Sequence, residues 1–312
     1  MNQIKDLTAI HYDGIIHLLS QMPNSITNLS LIWTKLMPLE TVSDFDGFIA
    51  KYSQLLTALD ITFVNTKSDT KKLIGDLKQF NKLRKLNLIL IQIEQPDFQS
   101  EFNELLTQSP MKQSLEQLNL CFWSGNSQEI LKSIASITQL KSLTLNFKSD
   151  FISKDLEYLK SLSQLKHLRI ILKTNDKAIF NQINQFLPNL ESLELVCSSI
   201  DSIGLNSIGK SKSLKYLDVV CHGITDEMFI SFIDSLEAGQ LNWLRVNSSR
   251  LTNKSVNRLI VYCNSNTSQF IEFSYSSTQI DLITISLPNN LICQQKPSQF
   301  LLNFPGSSPR GF

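Results

Sequence analysis

Leu140-Lys141-Ser142-Leu143-Thr144-Leu145 is followed by Leu165-Lys166-His167-Leu168-Arg169-Ile170, by Leu190-Glu191-Ser192-Leu193-Glu194-Leu195 and by Leu214-Lys215-Tyr216-Leu217-Asp218-Val219. These four copies of one hexapeptide start 25, 25 and 24 residues apart, and self-similarity at such a period marks a solenoid of stacked units. The fourth and sixth residues of each copy lie two apart, so in an extended strand they share a side and the fifth faces away. The segments between copies have a different rhythm. Leu156, Leu159 and Leu162, and likewise Ile179, Ile183 and Phe186, recur at the three- or four-residue spacing of one helix face. Neither element closes a core alone, but stacking like units does. The spacing therefore predicts a curved parallel sheet with helices on its outer side.

Working outward, the same pattern recurs toward both ends. Upstream stand Ile26-x-x-Leu29-x-Leu31, Leu56-x-x-Leu59-x-Ile61, Leu83-x-x-Leu86-x-Leu88 and Leu115-x-x-Leu118-x-Leu120, at intervals of 30, 27 and 32 residues. Downstream stand Leu241-x-x-Leu244-x-Val246 and a weaker Phe270-x-x-Phe273-x-Tyr275. Ten strands at roughly 4.8 Å spacing would make an inner arc about 40 Å long. Helices are expected over Val42, Phe45, Phe48 and Ile49, over Phe98, Phe102, Leu105 and Leu106, over Met228, Phe229, Phe232 and Leu236, and over Leu251, Val256, Leu259, Ile260 and Tyr262. Ile89, Leu90 and Ile91 extend the third copy into the most apolar run of the chain, predicted to be buried from both sides.

Residues 1–25 read as a helical half-unit, with Ile10, Ile15, Ile16, Leu18 and Leu19 inward and an end near Pro23. After Ser276 the pattern fails. Ile283, Ile285 and Leu287 alternate like one more strand, against which Leu291 to Cys293 would form an edge or cap, and Pro305 to Phe312 has the composition of a flexible tail. The expected organisation is an array over residues 1–275 followed by a cap and tail over 276–312.

Composition narrows the function. The chain has 312 residues, 42% hydrophobic and 18% charged, with a net charge of +1. It contains no basic run to follow a phosphate backbone; Lys85, Lys141, Lys166 and Lys215 form a sparse line interrupted by Glu116 and Glu191, so nucleic acid is disfavoured. Cys121, Cys197, Cys221, Cys263 and Cys293 are scattered and odd in number, the pattern of free, mostly buried thiols in a reducing compartment. With no signal-like segment and no stretch long enough to span a bilayer, the expected address is cytoplasmic or nuclear and no membrane insertion is expected.

The Leu-x-x-Leu-x-Leu core resembles the leucine-rich repeat, over roughly residues 26–275. Leu214 to Ile224, followed by Thr225, Asp226 and Glu227, is similar to the long, helix-containing repeats of ribonuclease-inhibitor-like proteins and of the repeat domains in F-box substrate receptors. That resemblance implies an α/β solenoid, a horseshoe with a concave parallel sheet and convex helices, used for protein recognition. The family pattern places Asn or Cys eight positions after the first Leu. Here those places hold Ile91, Trp123, Lys148, Lys173, Ser198, His222 and Ser249, so no asparagine ladder is expected and the turns should be held mostly by packing. No F-box-like segment is recognised before Ile26, so in a receptor of that type the ligase-binding part would be missing, very divergent or carried by another chain.

The concave surface can be read from the strand residues that face away from the core. The fifth place gives Asn87, Asn119, Thr144, Arg169, Glu194, Asp218 and Arg245; the third gives Lys85, Gln117, Ser142, His167, Ser192, Tyr216 and Trp243. His167, Arg169, Glu194, Tyr216, Asp218, Trp243 and Arg245 are the candidate binding residues. Tyr216 and Trp243 on adjacent strands are the sharpest pair, because aromatic side chains bury large area at modest entropy cost, and Arg245 is expected to pair with a partner carboxylate.

Chemistry finds no such support. His167 and His222 stand two units apart, with His11 and His17 far away, and no carboxylate or cysteine set completes a metal site. There is no phosphate-binding or nucleophile-elbow motif. A GTPase-activating arginine would have to be Arg84, Arg169 or Arg245, with nothing to prefer one of them. The sequence thus predicts no enzyme, no cofactor and no metal. It predicts a recognition module for a protein partner, either a substrate-recruiting adaptor of a ubiquitin-ligase-like machine or a structural subunit built into a large complex.

Overall fold

A computed structural model of the chain describes residues 5–10, 24–33, 42–64, 70–91, 98–122, 127–147, 153–172, 176, 178–237, 239–266, 271–275, 280 and 287–295. Ten parallel strands form one sheet in strict chain order: β1 (Asp6–Ile10), β2 (Asn28–Trp33), β3 (Ala58–Val64), β4 (Lys85–Ile91), β5 (Gln117–Phe122), β6 (Ser142–Phe147), β7 (His167–Leu172), β8 (Ser192–Cys197), β9 (Tyr216–Val220) and β10 (Trp243–Asn247). The register joins like places of successive units. Leu143, Leu168, Leu193, Leu217 and Leu244 are cross-strand neighbours, each no more than 2% exposed. Leu145, Ile170, Leu195, Val219 and Val246 form a second buried row beside them.

The connections supply the other wall of the core. They contain α1 (Val42–Tyr52), α2 (Thr70–Leu77), α3 (Phe98–Gln108), α4 (Ser127–Ile134), α5 (Ala178–Phe186), α6 (Ser202–Gly209), α7 (Asp226–Ser235) and α8 (Asn253–Ser265). Between β6 and β7 the expected helix is a 3-10 helix, Ser153–Ser161, which still buries Leu156 and Leu159. Consecutive helices pack side by side as consecutive strands do. This is the leucine-rich-repeat horseshoe, an α/β solenoid whose sheet lines the inner side.

The N-terminus departs from the helical half-unit predicted for residues 1–25. Residues 6–10 are a strand, and the backbone N–H groups of Thr27 and Asn28 both donate to the Lys5 carbonyl at 3.0 Å. Every later junction repeats that bond pair, for example Lys141 and Ser142 onto Glu116. Ala9 occupies the sixth place, where other units carry a larger aliphatic residue, and this hid the motif. Ile15, Ile16, Leu18 and Leu19 lie outside the described residues.

At the other end, the tenth copy does not enter the main sheet. Its strand β11 (Ile271–Tyr275) lies against β10 but pairs in parallel with β12 (Leu291–Gln295), Ile271 opposite Leu291 and Phe273 opposite Cys293. Ile271, Phe273 and Leu291 are buried in the common core. Leu287 is outside any strand, and Ile283 and Ile285 lie outside the described residues.

Hydrogen bonds add to the packing that is expected to hold most of the turns. The residue just before the first Leu reaches back to a backbone carbonyl of the preceding unit: Ser114 to Leu83 at 2.7 Å, Gln139 to Lys112, Asn189 to Ser163 at 3.1 Å, Ser213 to Pro188 at 2.7 Å and Gln240 to Ser211 at 2.8 Å. A polar ladder therefore exists, at the helix-to-strand end of the units. At the strand-to-helix end, Leu172, Cys197, Cys221 and Ser248 point inward, seven positions after the first Leu. Strand alternation requires this, since the fourth, sixth and eighth places share one side. The residues eight positions after, such as Ser198, His222 and Ser249, are left at the rim. Of the run predicted to be buried on both faces, Ile89 is 3% exposed beside fully buried Leu88, and the side chains of Leu90 and Ile91 lie outside the described residues.

Candidate functional site

The seven residues singled out in the sequence fall on four consecutive strands and face away from the core. His167, Ser192, Tyr216 and Trp243 are register partners in one row, and Arg169, Glu194, Asp218 and Arg245 in the next. Alternating exposure along β7, β8 and β10 assigns both rows to the concave side. In the first row His167 is exposed and Tyr216 and Trp243 are half-buried. The two aromatic side chains thus stand on neighbouring strands, roughly 5 Å apart at the backbone.

The second row is a ladder of alternating partners. Arg169 Nε lies 3.4 Å from Glu194 Oε1, and the Arg245 guanidinium donates to the Asp218 carboxylate. Arg245 also lies with its Cζ 5.5 Å from the centre of the Trp243 ring, within cation–π range. Burial pushes the Glu194 carboxyl up, the Asp218 charge adds to this, and Arg169 and Arg245 oppose it. Burial alone would lower the Arg245 pKa, but hydrogen bonding to Asp218 and the charges of Asp218, Glu194 and Glu272 raise it overall.

Arg245 is thus already paired with Asp218 within the chain through one of its guanidinium nitrogens. This face carries the aromatic pair on β9 and β10 and, two strands from Tyr216, the exposed His167 imidazole, beside a row of cross-strand ion pairs.

Toward the N-terminus the same row carries Asn87 and Asn119. Asn87 hydrogen-bonds to Asp60, whose carboxyl is pushed up by burial, against the hydrogen bonds from Asn87 and Ser30 and the charge of Lys85. Asp60 adds an acid to a stretch that reads as basic and amide from the third unit onward.

A second feature was missed because it belongs to no single motif. The turns between β8 and α6, β9 and α7, and β10 and α8 line an open cleft of about 650 Å³ on the rim, whose walls include Ser199, Asp201, His222, Gly223, Ser249 and Arg250. Beneath it lie Cys197 and Cys221, both buried. The Cys197 thiol donates to Cys221, which also accepts from the amides of Gly223 and Ile200; this lowers the Cys221 pKa and raises that of Cys197. Only the alignment of three units brings these residues together. The sequence signal was the run of small and polar residues after the eighth place.

Among the described residues no group of three or more His, Cys, Asp or Glu side chains is placed to hold a metal ion. His11 and His17 lie outside them. None of the described helices is long and apolar enough to cross a membrane.

No protein-family model and no curated protein matches the chain. Solved structures do. A chain of the yeast Rad7–Elc1 complex matches with a TM-score of 0.61 at 15% identity, covering 94% of this chain and 81% of that one. The leucine-rich-repeat protein LegL7 of Legionella pneumophila matches with a TM-score of 0.44 at 16% identity, over 83% of this chain and 98% of that one. The TLR13–ssRNA13 complex matches with a TM-score of 0.46 at 16% identity, over 92% of this chain and 42% of that one. The Rad7–Elc1 likeness is one of fold, that of a generic leucine-rich-repeat solenoid with no subtype distinguished.

Proposed function

We propose that this protein is a non-catalytic recognition module that binds a protein partner on the concave face of β7 to β10. The observation that carries the proposal is the Tyr216–Trp243 pair on adjacent strands, set beside ion pairs made within the chain. Such a surface has little charge left to satisfy and two large side chains to bury, the composition that concentrates binding energy at protein interfaces. A solenoid scaffold contributes shape, and the specific function lies in the site it presents.

The finer reading is an adaptor that recruits a protein to a larger machine, of the ubiquitin-ligase type. Two things favour it: the resemblance of Leu214 to Glu227 to the repeats of F-box receptors, and the likeness of fold to a chain solved within the two-protein Rad7–Elc1 complex. The test is affinity purification of the tagged protein and of a Tyr216→Ala, Trp243→Ala double variant. Partners should be exchangeable and retained at least about tenfold less by the variant. Undiminished retention would move the working surface elsewhere, and a partner held at fixed stoichiometry through high-salt washing would make the protein a permanent subunit.

A further inference from the structure

The rim cleft is built by three turns in register. Val196, Val220 and Asn247 are the last cross-strand partners of β8, β9 and β10. Counting on from them, Ser198, His222 and Ser249 occupy one row and Ser199, Gly223 and Arg250 the next. The centre of the second row is a glycine. A Cβ on Gly223 would meet nothing closer than the Ser199 Cα at 3.8 Å, so packing does not demand glycine there. Its missing side chain leaves space between Ser199 and Arg250.

The charges around that space are unequal. Of the five arginines among the described residues, four have a carboxylate partner: Arg84 with Glu116, Arg169 with Glu194, Arg245 with Asp218 and Arg258 with Asp234. Arg250 is exposed, lines the cleft and has no such partner among the described residues. The one carboxylate in the lining, Asp201, accepts the Gly204 amide at 2.8 Å as the N-cap of α6. Asp201 makes its own side of the cleft unfavourable for an anion and leaves the side formed by Gly223, Ser249 and Arg250.

From this arrangement we infer that the rim cleft binds a phosphate monoester, carried on a phosphorylated side chain of the protein partner. A phosphate presents three strong acceptor oxygens. On that side the cleft presents the forked guanidinium of Arg250 and the hydroxyl of Ser249 beside the open space at Gly223, donors enough for the three oxygens of a phosphate. The volume of about 650 Å³ leaves room for residues flanking the phosphate. That the phosphate arrives on a protein rests on the recognition function proposed above; that the cleft takes an oxyanion does not.

The test is an NMR titration of the isotope-labelled full chain with O-phosphoserine, inorganic phosphate and chloride at matched ionic strength. O-phosphoserine should shift the Gly223, Ser249 and Arg250 amides saturably and more tightly than inorganic phosphate, while chloride leaves them unmoved. Arg250→Ala should weaken the affinity about tenfold, and Gly223→Leu, which fills the space, should abolish the response. Shifts that follow ionic strength alone, or unchanged affinity in Arg250→Ala, overturn the oxyanion site. Inorganic phosphate binding as tightly as O-phosphoserine overturns the assignment to a phosphorylated side chain. The Tyr216→Ala, Trp243→Ala variant should titrate like the wild type, so failure of the concave-face proposal and failure of this one read out separately.

Discussion

The outward fifth-place row is built differently in the two halves of the sheet. On β4 and β5 it carries Asn87 and Asn119, side-chain amides whose Oδ1 atoms are buried without a protein partner. On β7 to β10 it carries Arg169, Glu194, Asp218 and Arg245, paired across strands. Spacing does not divide the same way: repeats up to Leu115 start 27 to 32 residues apart and those from Leu115 to Leu214 start 24 or 25 apart, but the step from Leu214 to Leu241 is again 27. An acceptor without a protein donor is costly unless water or a ligand reaches it, so the amide half has hydrogen-bonding capacity left over. The ionic half pairs its charges across strands, although the Arg169 Nε is itself buried without a hydrogen-bond partner, and it carries the aromatic pair. This is why the binding proposal rests on Tyr216 and Trp243 and not on the charged residues beside them.

The inward face should not share that difference. Leu193→Ala in the ionic half and Leu118→Ala in the amide half each remove a side chain no more than 2% exposed, and each should cost about 2 to 5 kcal/mol. Urea unfolding measures both. A loss under about 0.5 kcal/mol at either site would mean that the leucine row is not continuous core.

A smaller effect is expected at Asp226, which ties unit to unit only toward the C-terminus. It accepts from the Thr252 amide at 2.8 Å and from the Ser255 hydroxyl at 2.5 Å. Burial raises its pKa, but the bonds from Ser255 and Thr252 outweigh this and leave it below 3.8. Asp226→Ala should destabilise the chain by about 1 to 3 kcal/mol at neutral pH. A group with a depressed folded-state pKa contributes stability above its ordinary pKa and loses it as pH falls through the folded value. The gap between wild type and variant should therefore close in acid, below pH 3.8. A gap independent of pH would assign the loss to packing.

The smallest effect is expected in the amide half, at Glu116, which bridges Arg84 at 2.6 Å and Lys141 at 3.2 Å. The hydrogen bonds from Arg84 and then Lys141 hold its pKa down, yet such exposed pairs are worth less than about 1 kcal/mol. Glu116→Gln should shift thermal unfolding only slightly, and less so in high salt. A large shift would show that surface charge organises this half too.

What the sequence disclosed was whatever repeats on one chain segment at constant spacing. The rows through Leu193 and Leu195, the helices behind them and the strand positions of all seven candidate residues followed from alternation and period. β1 escaped because Ala9 is too small to announce a strand, and the excursion of β11 to β12 because pairing choice is not written in either strand alone. The polar ladder from Ser114 to Gln240 was overlooked because it lies one place before the motif. In the candidate site, Tyr216 and Trp243 were legible, but the engagement of Arg245 by Asp218 depends on distances between units. The rim cleft depends on three turns at once.

Photo-crosslinking from single sites in the intact protein tests the concave-face account most directly. A benzoyl-phenylalanine placed at Tyr216 should give a discrete adduct with a protein partner, and the same probe at Val261, 54% exposed on α8, should give none. Adducts at Val261 with none at Tyr216 would contradict the account and transfer recognition to the helical face.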